Sequence, residues 1–466
     1  MKYKIITLVG VIGIASLLWI STNIFVTTDP SIGSESWVHE KIKAYPEISW
    51  LGGEGVRQTH DMQKGASEGD LKSPSFRLYG KKYPEFDRTI LSLMCLNWFV
   101  KGDEDAYKAF TSAQKEPDKL SYESFSNLSK LYDKLISSGV PLEDFEIALV
   151  LGDTGKTETA RAYFKEITAS DHDEFLKEAL QRDAALFPSF KKLTPWGQEI
   201  LPQISGIVHF GHFLHLEGGV EMLIPLLESH IIEQDPKALE FDFLVHIADV
   251  SGAGGHINPT CSIVMTENVY KALMAIDASL DLLKKEGTTV QDVLENYIKI
   301  RALWIDLKAK TAEERFLTRL GAMIRLYEKE DGQILKNAFK KIDPTQQTLF
   351  VQMFDPLSPD LPNITPTYIP AVFANLYNNK SLEDSKEERL SKTLELGLPF
   401  VARVLKMYQD HLLDGKMNIM DPLNFNDMAR VAKEYPEALA SISVFIDPEN
   451  NVMEKKDAGI PLEMEV

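Results

Sequence analysis

Apolar residues recur every three or four positions along most of this 466-residue chain, and this spacing limits the fold more than any other feature. In the segment 121–136, the apolar side chains share one face of a helix: Phe125, Leu128, Leu131, Tyr132 and Leu135. The same spacing is found in 157–167, 173–186, 221–232, 269–285, 289–307, 312–328, 388–410 and 425–435. Few segments alternate with period two, so the sequence predicts an all-α fold.

Breaks in the helical pattern divide the chain into four predicted parts. Residues 30–88 are rich in Gly, Ser, Pro and charge, and a proline-rich stretch follows Asp343-Pro344. We therefore expect an apolar N-terminal segment at 1–28, an irregular lead-in with the first helices at 29–115, a multi-helix core at 116–342 and further helices at 343–466. A hydrophobic content of 44% is enough for such domains to bury ordinary cores.

The N-terminal segment has the pattern of a membrane helix. No charged residue occurs from Ile5 to Thr28, while Lys2 and Lys4 precede this run and Asp29 follows it. At ~1.5 Å per helical residue the run can cross a hydrocarbon core of ~30 Å. The pattern predicts a signal-anchor helix, with the bulk of the chain outside the cytoplasm because the lysines keep the N-terminus inside. A cleaved signal peptide, which would export the protein, is the alternative.

The charge balance excludes a broad nucleic-acid-binding face. The chain has 69 acidic and 50 basic residues, a formal net charge of −19, whereas phosphate backbones require clustered Lys and Arg. A small phosphate-bearing ligand is not excluded, because a bound divalent metal supplies positive charge locally. The two cysteines, Cys95 and Cys261, have no zinc-ligand spacing, and we expect two buried thiols.

Histidines are concentrated in the centre of the chain: seven of the ten lie between His172 and His256. On a helix, His209 and His212 are neighbours on one face, so that two imidazoles could meet at a metal or a phosphate, and His215 lies near that face. The alternative is a helix end whose histidines cap the last carbonyls before Gly218-Gly219.

Two further segments contain candidate metal-binding or phosphate-binding residues. His246 and Asp249 are one helical turn apart, where they could bind a divalent cation or form a salt bridge with each other. Upstream, Gly155-Lys156-Thr157 is similar to the end of a phosphate-binding P-loop. That motif needs a glycine at position 150, which is Val150, so we reject a P-loop.

Taken in order, these segments resemble the HD-domain superfamily of metal-dependent phosphohydrolases, with an HD-GYP-like layout, over roughly residues 120–285. An apolar helix there ends in Gly152-Asp153-Thr154-Gly155-Lys156, similar to the family's His-Asp-x-Gly-Lys signature with Gly152 in the histidine position. His172 is similar to the family's next histidine, His209 and His212 to the following pair, and Asp249 to its closing aspartate. The family's first histidine is missing from the helix around Ser124–Asn127.

The resemblance implies hydrolysis of a small phosphate-bearing substrate by a divalent metal ion or metal pair (Mn, Fe, Zn or Mg), which lowers the pKa of a bound water to ~7. It makes Asp153 the bridging metal ligand and Lys156 a contact to phosphate. The remaining implied metal ligands are His172, His209, His212 and Asp249, with His215, His246 and His256 around them. Because two histidines are missing, the alternatives are a non-catalytic HD-like helical scaffold and a membrane-tethered protein-interaction module.

Overall fold

The computed structural model describes residues 31–53, 56, 73–169, 172–358, 366–379, 381–382, 385–413 and 423–455. This part of the chain is predominantly helical, as the sequence predicts. The predicted signal-anchor segment 1–28 lies outside the described residues. Among the helices that are described, none is both long and apolar enough to cross a membrane.

The α-helices of the described ranges are, in chain order, α1 (Glu35–Ala44), α2 (Pro74–Tyr79), α3 (Pro84–Lys101), α4 (Glu104–Phe110), α5 (Tyr122–Ser137), α6 (Leu142–Gly152), α7 (Glu158–Tyr163), α8 (His172–Asp183), α9 (Pro195–Ile204), α10 (Phe210–Leu214), α11 (Ile224–Glu228), α12 (Ile231–Gln234), α13 (Pro236–Gly252), α14 (Glu267–Leu280), α15 (Val290–Trp304), α16 (Ala312–Ile324), α17 (Lys329–Lys340), α18 (Pro344–Phe354), α19 (Ile369–Asn378), α20 (Lys386–Leu413) and α21 (Asn426–Glu434). Short 3₁₀ segments are Pro46–Gly52, Thr154–Lys156, Ala184–Leu186, Phe190–Lys192, Val220–Leu223, Asp281–Lys284 and Pro436–Ala440.

Four short strands form two small sheets. β1 (Pro366–Thr367) pairs in parallel with β2 (Leu423–Asn424), and β3 (Val444–Ile446) pairs antiparallel with β4 (Val452–Glu454). The first pair brings the start of α19 next to the start of α21, which explains why this C-terminal region departs locally from an all-α architecture.

Helices α3 and α13 form the central pair of the fold. Pro84 occupies the first turn of α3, where its missing N–H is not needed, and Gly102 ends the helix in the left-handed conformation with φ 66°. Close to the C-terminal end of α13, Gly252 lies against the backbone of Ser92 on α3. Since no side chain separates the two helices at this point, their backbones approach closely.

An aromatic cluster surrounds this pair and joins it to α5. Phe99 stacks on Tyr132 with ring centroids 5.4 Å apart, and it also contacts Phe110 and Phe125. The Tyr132 hydroxyl donates a 2.6 Å hydrogen bond to the carbonyl oxygen of Leu244 on α13. Cys95 and Cys261 are both buried free thiols, as expected.

The C-terminal helices share the same hydrophobic core as the central ones, which runs without interruption from Trp37 to Val452. A two-point ion pair supports this packing: Arg315 Nε and Nη2 donate to the Asp355 carboxylate at 2.8 Å and 2.5 Å. The core therefore continues across the predicted boundary at residue 343.

Two sequence expectations need correction. The lead-in holds two ordered helices, α1 and α2, whose first turns are capped by the side chains of Ser34 and Ser73. The predicted single helix at 221–232 is instead a 3₁₀ turn followed by α11 and α12. Pro225 begins a new first turn there, and His230 has a left-handed backbone with φ 53°, which no continuous helix allows.

The close approach of α3 and α13 gives a stability prediction. A methyl group at Gly252 would overlap the backbone of Ser92, so Gly252→Ala should lower the free energy of unfolding by about 1–3 kcal/mol. Gly211→Ala is the matched control, because a methyl group there meets nothing within 4 Å in a helix, where alanine is favoured by up to ~1 kcal/mol. Urea unfolding of both variants is the measurement, and equal midpoints would contradict the close approach.

Candidate functional site

The predicted Asp153 and Lys156 lie in a buried ion network with two residues of α3. Lys156 Nζ donates to Asp153 Oδ1 at 2.6 Å and to Glu85 Oε2 at 3.0 Å. The single hydroxyl hydrogen of Thr89 has two acceptors at 3.0 Å, the other Asp153 oxygen and the carbonyl oxygen of Glu85. Arg88 Nη1 lies 3.2 Å from Glu85 Oε2. Together with Asp249, described below, Glu85, Arg88, Asp153 and Lys156 form what we call the ion network.

The charges of the ion network stabilise one another. Burial alone raises the pKa of Asp153, but the positive charges of Lys156 and then Arg88 outweigh burial, so this pKa lies well below its usual range. Burial likewise lowers the pKa of Lys156, but Asp153 and Glu85 raise it more, so the net shift is upward. Lys156 is therefore a fixed ammonium at neutral pH.

Asp249 completes the network from the last turn of α13. Burial raises its pKa to about 6, and the negative charge of Asp153 contributes to this shift. Arg88 and Lys156 act in the opposite direction on the same carboxyl group. The Asp249 carboxyl group thus lies within electrostatic reach of Asp153.

The helix beside these two aspartates is not the one that the resemblance suggested. Ser124 of α5 donates a hydrogen bond to Glu267 Oε1 at 3.0 Å, which places that turn against α14. Helix α3 lies beside the aspartates instead, and it contributes Glu85 and Arg88 to the ion network.

The predicted histidines gather in a second, adjoining group. His172 begins α8, His209 precedes α10 and His212 lies within it. The Asp173 carboxylate lies 3.4 Å from His172 Nε2 and 3.5 Å from His209 Nδ1. The rings of His209 and His212 stack with centroids 5.0 Å apart. The prediction that His209 and His212 are neighbours is confirmed.

Glu217 closes this group on its buried side. It is 6% exposed, its Oε2 lies 3.5 Å from His212 Nε2, and it accepts a hydrogen bond from the backbone N–H of Tyr368. Burial raises its pKa to about 8. We call His172, Asp173, His209, His212 and Glu217 the histidine cluster. With this raised pKa, the Glu217 carboxyl group is largely protonated at neutral pH and can donate a proton.

Tyr368 connects the ion network and the histidine cluster. It precedes α19 with a left-handed backbone, φ 66°, donates its N–H to Glu217 and lies close enough to Arg88 to act on its pKa. His172 similarly acts electrostatically on Asp153. The two groups therefore form one polar region that includes a residue of the C-terminal part.

The five predicted metal ligands do not converge on one point. Among the described residues, no group of three or more His, Cys, Asp or Glu side chains is arranged to hold a metal ion. At Asp153 the structure shows what holds the carboxylate instead: Lys156 binds one oxygen and Thr89 the other. An ion network rather than a metal-ligand geometry thus surrounds this aspartate.

The other histidines named in the sequence analysis are not members of the histidine cluster. His246 packs on the Phe210 ring at 5.1 Å, and burial lowers its pKa to about 4. Burial lowers the pKa of His215 to about 3, with Arg325 and Arg301 contributing. The buried Nε2 of His246 and Nδ1 of His256 have no hydrogen-bond partner in the described structure.

The sequence analysis missed Glu85, Arg88, Asp173 and Glu217. The available signal for the first two was charge in the opening turns of an otherwise apolar helix, which normally reflects helix capping alone. Asp173 was visible as a carboxylate beside His172. Nothing in the sequence distinguishes Glu217, because only the packing of α16 and α19 around it buries its carboxyl group.

The comparisons with known proteins identify a family but no activity. The profile of a family of unknown function, DUF6829, matches residues 53–433. The chain belongs to this family. The match spans both the ion network and the histidine cluster. No curated protein and no solved structure matches the chain.

The raised pKa of Glu217 predicts a pH-dependent stability. A carboxyl group whose pKa is raised on folding stabilises the protein below its unfolded pKa, and this contribution is lost as the pH rises through about 8. Glu217→Gln is neutral at every pH, so its stability relative to the parent should increase between pH 5 and pH 9, by at most ~1.4 kcal/mol per unit of pKa shift. Urea unfolding at pH 5, 7 and 9 measures this.

The exposed Glu228 supplies the control, since Glu228→Gln should follow the parent across the same range. Parallel pH profiles for the parent and Glu217→Gln would show that the carboxyl group of Glu217 titrates normally.

Proposed function

We propose that this chain is a non-catalytic, HD-like helical scaffold in which internal cations take the place of a metal at Asp153. The observation that carries this proposal is the 2.6 Å contact between Lys156 Nζ and Asp153 Oδ1, with Thr89 on the second oxygen. Each oxygen through which the aspartate could coordinate a metal already has a hydrogen-bond donor within 3.0 Å.

The charge balance supports the same proposal. Glu85, Asp153 and Asp249 supply three carboxyl groups, of which Asp249 has a pKa of about 6, and Lys156 and Arg88 supply two positive charges. A divalent ion at Asp153 would have to displace the Lys156 ammonium, which is 14% exposed. Such a displacement removes one of the two carboxylate partners of a buried ammonium, Glu85 being the other, and breaking a buried ion pair is costly.

Metal analysis of the parent and Asp153→Asn tests the proposal. After loading with Mn²⁺, Fe²⁺ or Zn²⁺, both proteins should hold the same amount of metal, because Asp153 binds the Lys156 ammonium and not a metal ion. Asp153→Asn should also lose roughly 3–5 kcal/mol of stability, since it breaks a buried ion pair. The double variant Asp153→Asn/Lys156→Met should recover part of this loss, because it removes both charges.

Stoichiometric metal in the parent that disappears in Asp153→Asn would overturn the scaffold proposal and restore Asp153 as a metal ligand.

The histidine cluster favours a second candidate, a metal-dependent phosphohydrolase acting on a small phosphate-bearing substrate. Three imidazoles and two carboxyl groups are donor types that borderline divalent ions prefer, although in the described structure they are not arranged around one point. The buried Oε2 of Glu217 has no hydrogen-bond partner among the described residues. Such a metal would activate a water molecule. Of the chain's own groups, Glu217 is the proton donor and Asp173 orients His172 and His209.

His212→Ala in the same metal analysis distinguishes this candidate from the first. The phosphohydrolase requires metal that is retained in Asp153→Asn and lost in His212→Ala, together with release of phosphate from a generic phosphodiester by the parent. If the parent holds no metal, or if His212→Ala holds as much as the parent, the second candidate fails.

For the location of the protein, we propose that the N-terminal segment tethers the chain to a membrane, with the bulk of the chain outside the cytoplasm. The support is the uncharged run from Ile5 to Thr28 behind Lys2 and Lys4. The full chain should remain with membranes after alkaline carbonate extraction, whereas residues 31–466 should be released. Release of both, with the N-terminus trimmed, would instead establish a cleaved signal peptide.

A further inference from the structure

A buried arginine outside both groups has an unusual environment. Arg301 lies in the last turns of α15, is 3% exposed, and packs against the faces of two neighbouring aromatic rings. Its guanidinium carbon is 4.7 Å from the centre of the Trp304 ring and 4.5 Å from that of Tyr327, and the two rings are 6.1 Å apart. The rings stabilise the positive charge through their faces but accept no hydrogen bonds in the guanidinium plane.

The polar atoms of Arg301 are not satisfied. Nε and Nη1 are buried and have no hydrogen-bond partner, and in the described part of the chain no carboxylate forms an ion pair with this guanidinium. Burying a charge in this way costs several kcal/mol unless a partner supplies opposite charge and acceptors.

Arg319 shows how the same fold treats a buried arginine that has only a structural role. It is also 3% exposed, but each of its three nitrogens donates to a backbone carbonyl: Nε to Leu216 at 2.8 Å, Nη1 to Phe354 at 3.1 Å, and Nη2 to Glu217. The absence of acceptors at Arg301 is therefore a local property of its site and not the general condition of buried arginines in this protein.

The groups around Arg301 add positive charge. Arg325 ends α16 with a left-handed backbone, φ 67°, a conformation that favours glycine, and it is exposed. Arg301 and Arg325 both act on His215, whose pKa burial and these two charges lower to about 3. The nearby Tyr297 hydroxyl donates to the Leu214 carbonyl oxygen at 2.8 Å and remains neutral. Among the described residues, no carboxylate forms an ion pair with either guanidinium group.

We propose that Arg301 anchors a binding site for a phosphate group, with Arg325 at its rim and Trp304 and Tyr327 as its aromatic walls. A phosphate group carries close to two negative charges at neutral pH, which match the two guanidiniums, and it offers several oxygen acceptors for Nε and Nη1. A carboxylate supplies only one charge. This site does not depend on the scaffold proposal, because it shares no residue with the ion network or the histidine cluster.

Calorimetric titration of the full chain with inorganic phosphate tests the site, with glycerol 3-phosphate and acetate in parallel. Arg301→Met removes the charge but keeps a flexible side chain against the two rings. Arg403→Met is the matched control, since Arg403 also lies over an aromatic ring, Phe400, but is exposed and donates to the Ile442 carbonyl oxygen.

We expect phosphate to bind the parent and Arg403→Met equally, and Arg301→Met at least tenfold more weakly. Acetate should bind the parent at least tenfold more weakly than phosphate does. Tighter binding of glycerol 3-phosphate than of free phosphate would identify a phosphate ester as the ligand class, and the reverse would identify the free anion. No phosphate binding by the parent, or equal binding by Arg301→Met, would overturn the proposal.

Thermal unfolding without phosphate gives an independent measurement. Because Arg301→Met removes an uncompensated buried charge, its melting temperature should equal or exceed that of the parent, and added phosphate should raise only the parent's. A marked loss of stability in Arg301→Met without phosphate would show that the guanidinium serves packing, which would also count against the site.

Discussion

The close approach of α3 and α13 is the constraint on which the rest of the structure depends. Gly252 allows the backbone of α13 to lie against Ser92 of α3, and this contact brings together the charged first turns of α3 and the last turn of α13. Arg88 and Asp249 meet there, and the end of α6 adds Asp153. The buried charges thus follow from the packing of two apolar helices.

Burial and the neighbouring charges then determine the protonation state of each of these groups. In the ion network, opposite charges outweigh the cost of burial at Asp153 and Lys156, so both remain ionised. At Glu217 burial outweighs both the hydrogen bond from Tyr368 and the positive charge of Arg319, and the pKa rises to about 8. Two carboxyl groups of the same polar region therefore have opposite behaviour at neutral pH, one a fixed anion and the other a proton donor.

The polar region also unites parts of the chain that are distant in sequence. Tyr368 reaches from the start of α19 to Glu217 and to the surroundings of Arg88. Arg319 donates hydrogen bonds to the carbonyl groups of residues 216 and 217, and Arg301 acts electrostatically on His215. The segment from His212 to Glu217 is thus fixed from several directions, which gives the histidine cluster a defined geometry.

The periodic apolar pattern and the capping residues were enough to predict a helical fold and most of its central helices, because both are local properties of the chain. The proximity of His209 and His212 followed from helical spacing for the same reason. The sequence could not show that Lys156 and Thr89 lie against the two oxygens of Asp153. Nor could it show that Nε and Nη1 of Arg301 have no acceptor among the described residues while Arg319 has three acceptors. Those properties depend on which helices meet and how deeply each charge is buried, and only the tertiary structure decides them.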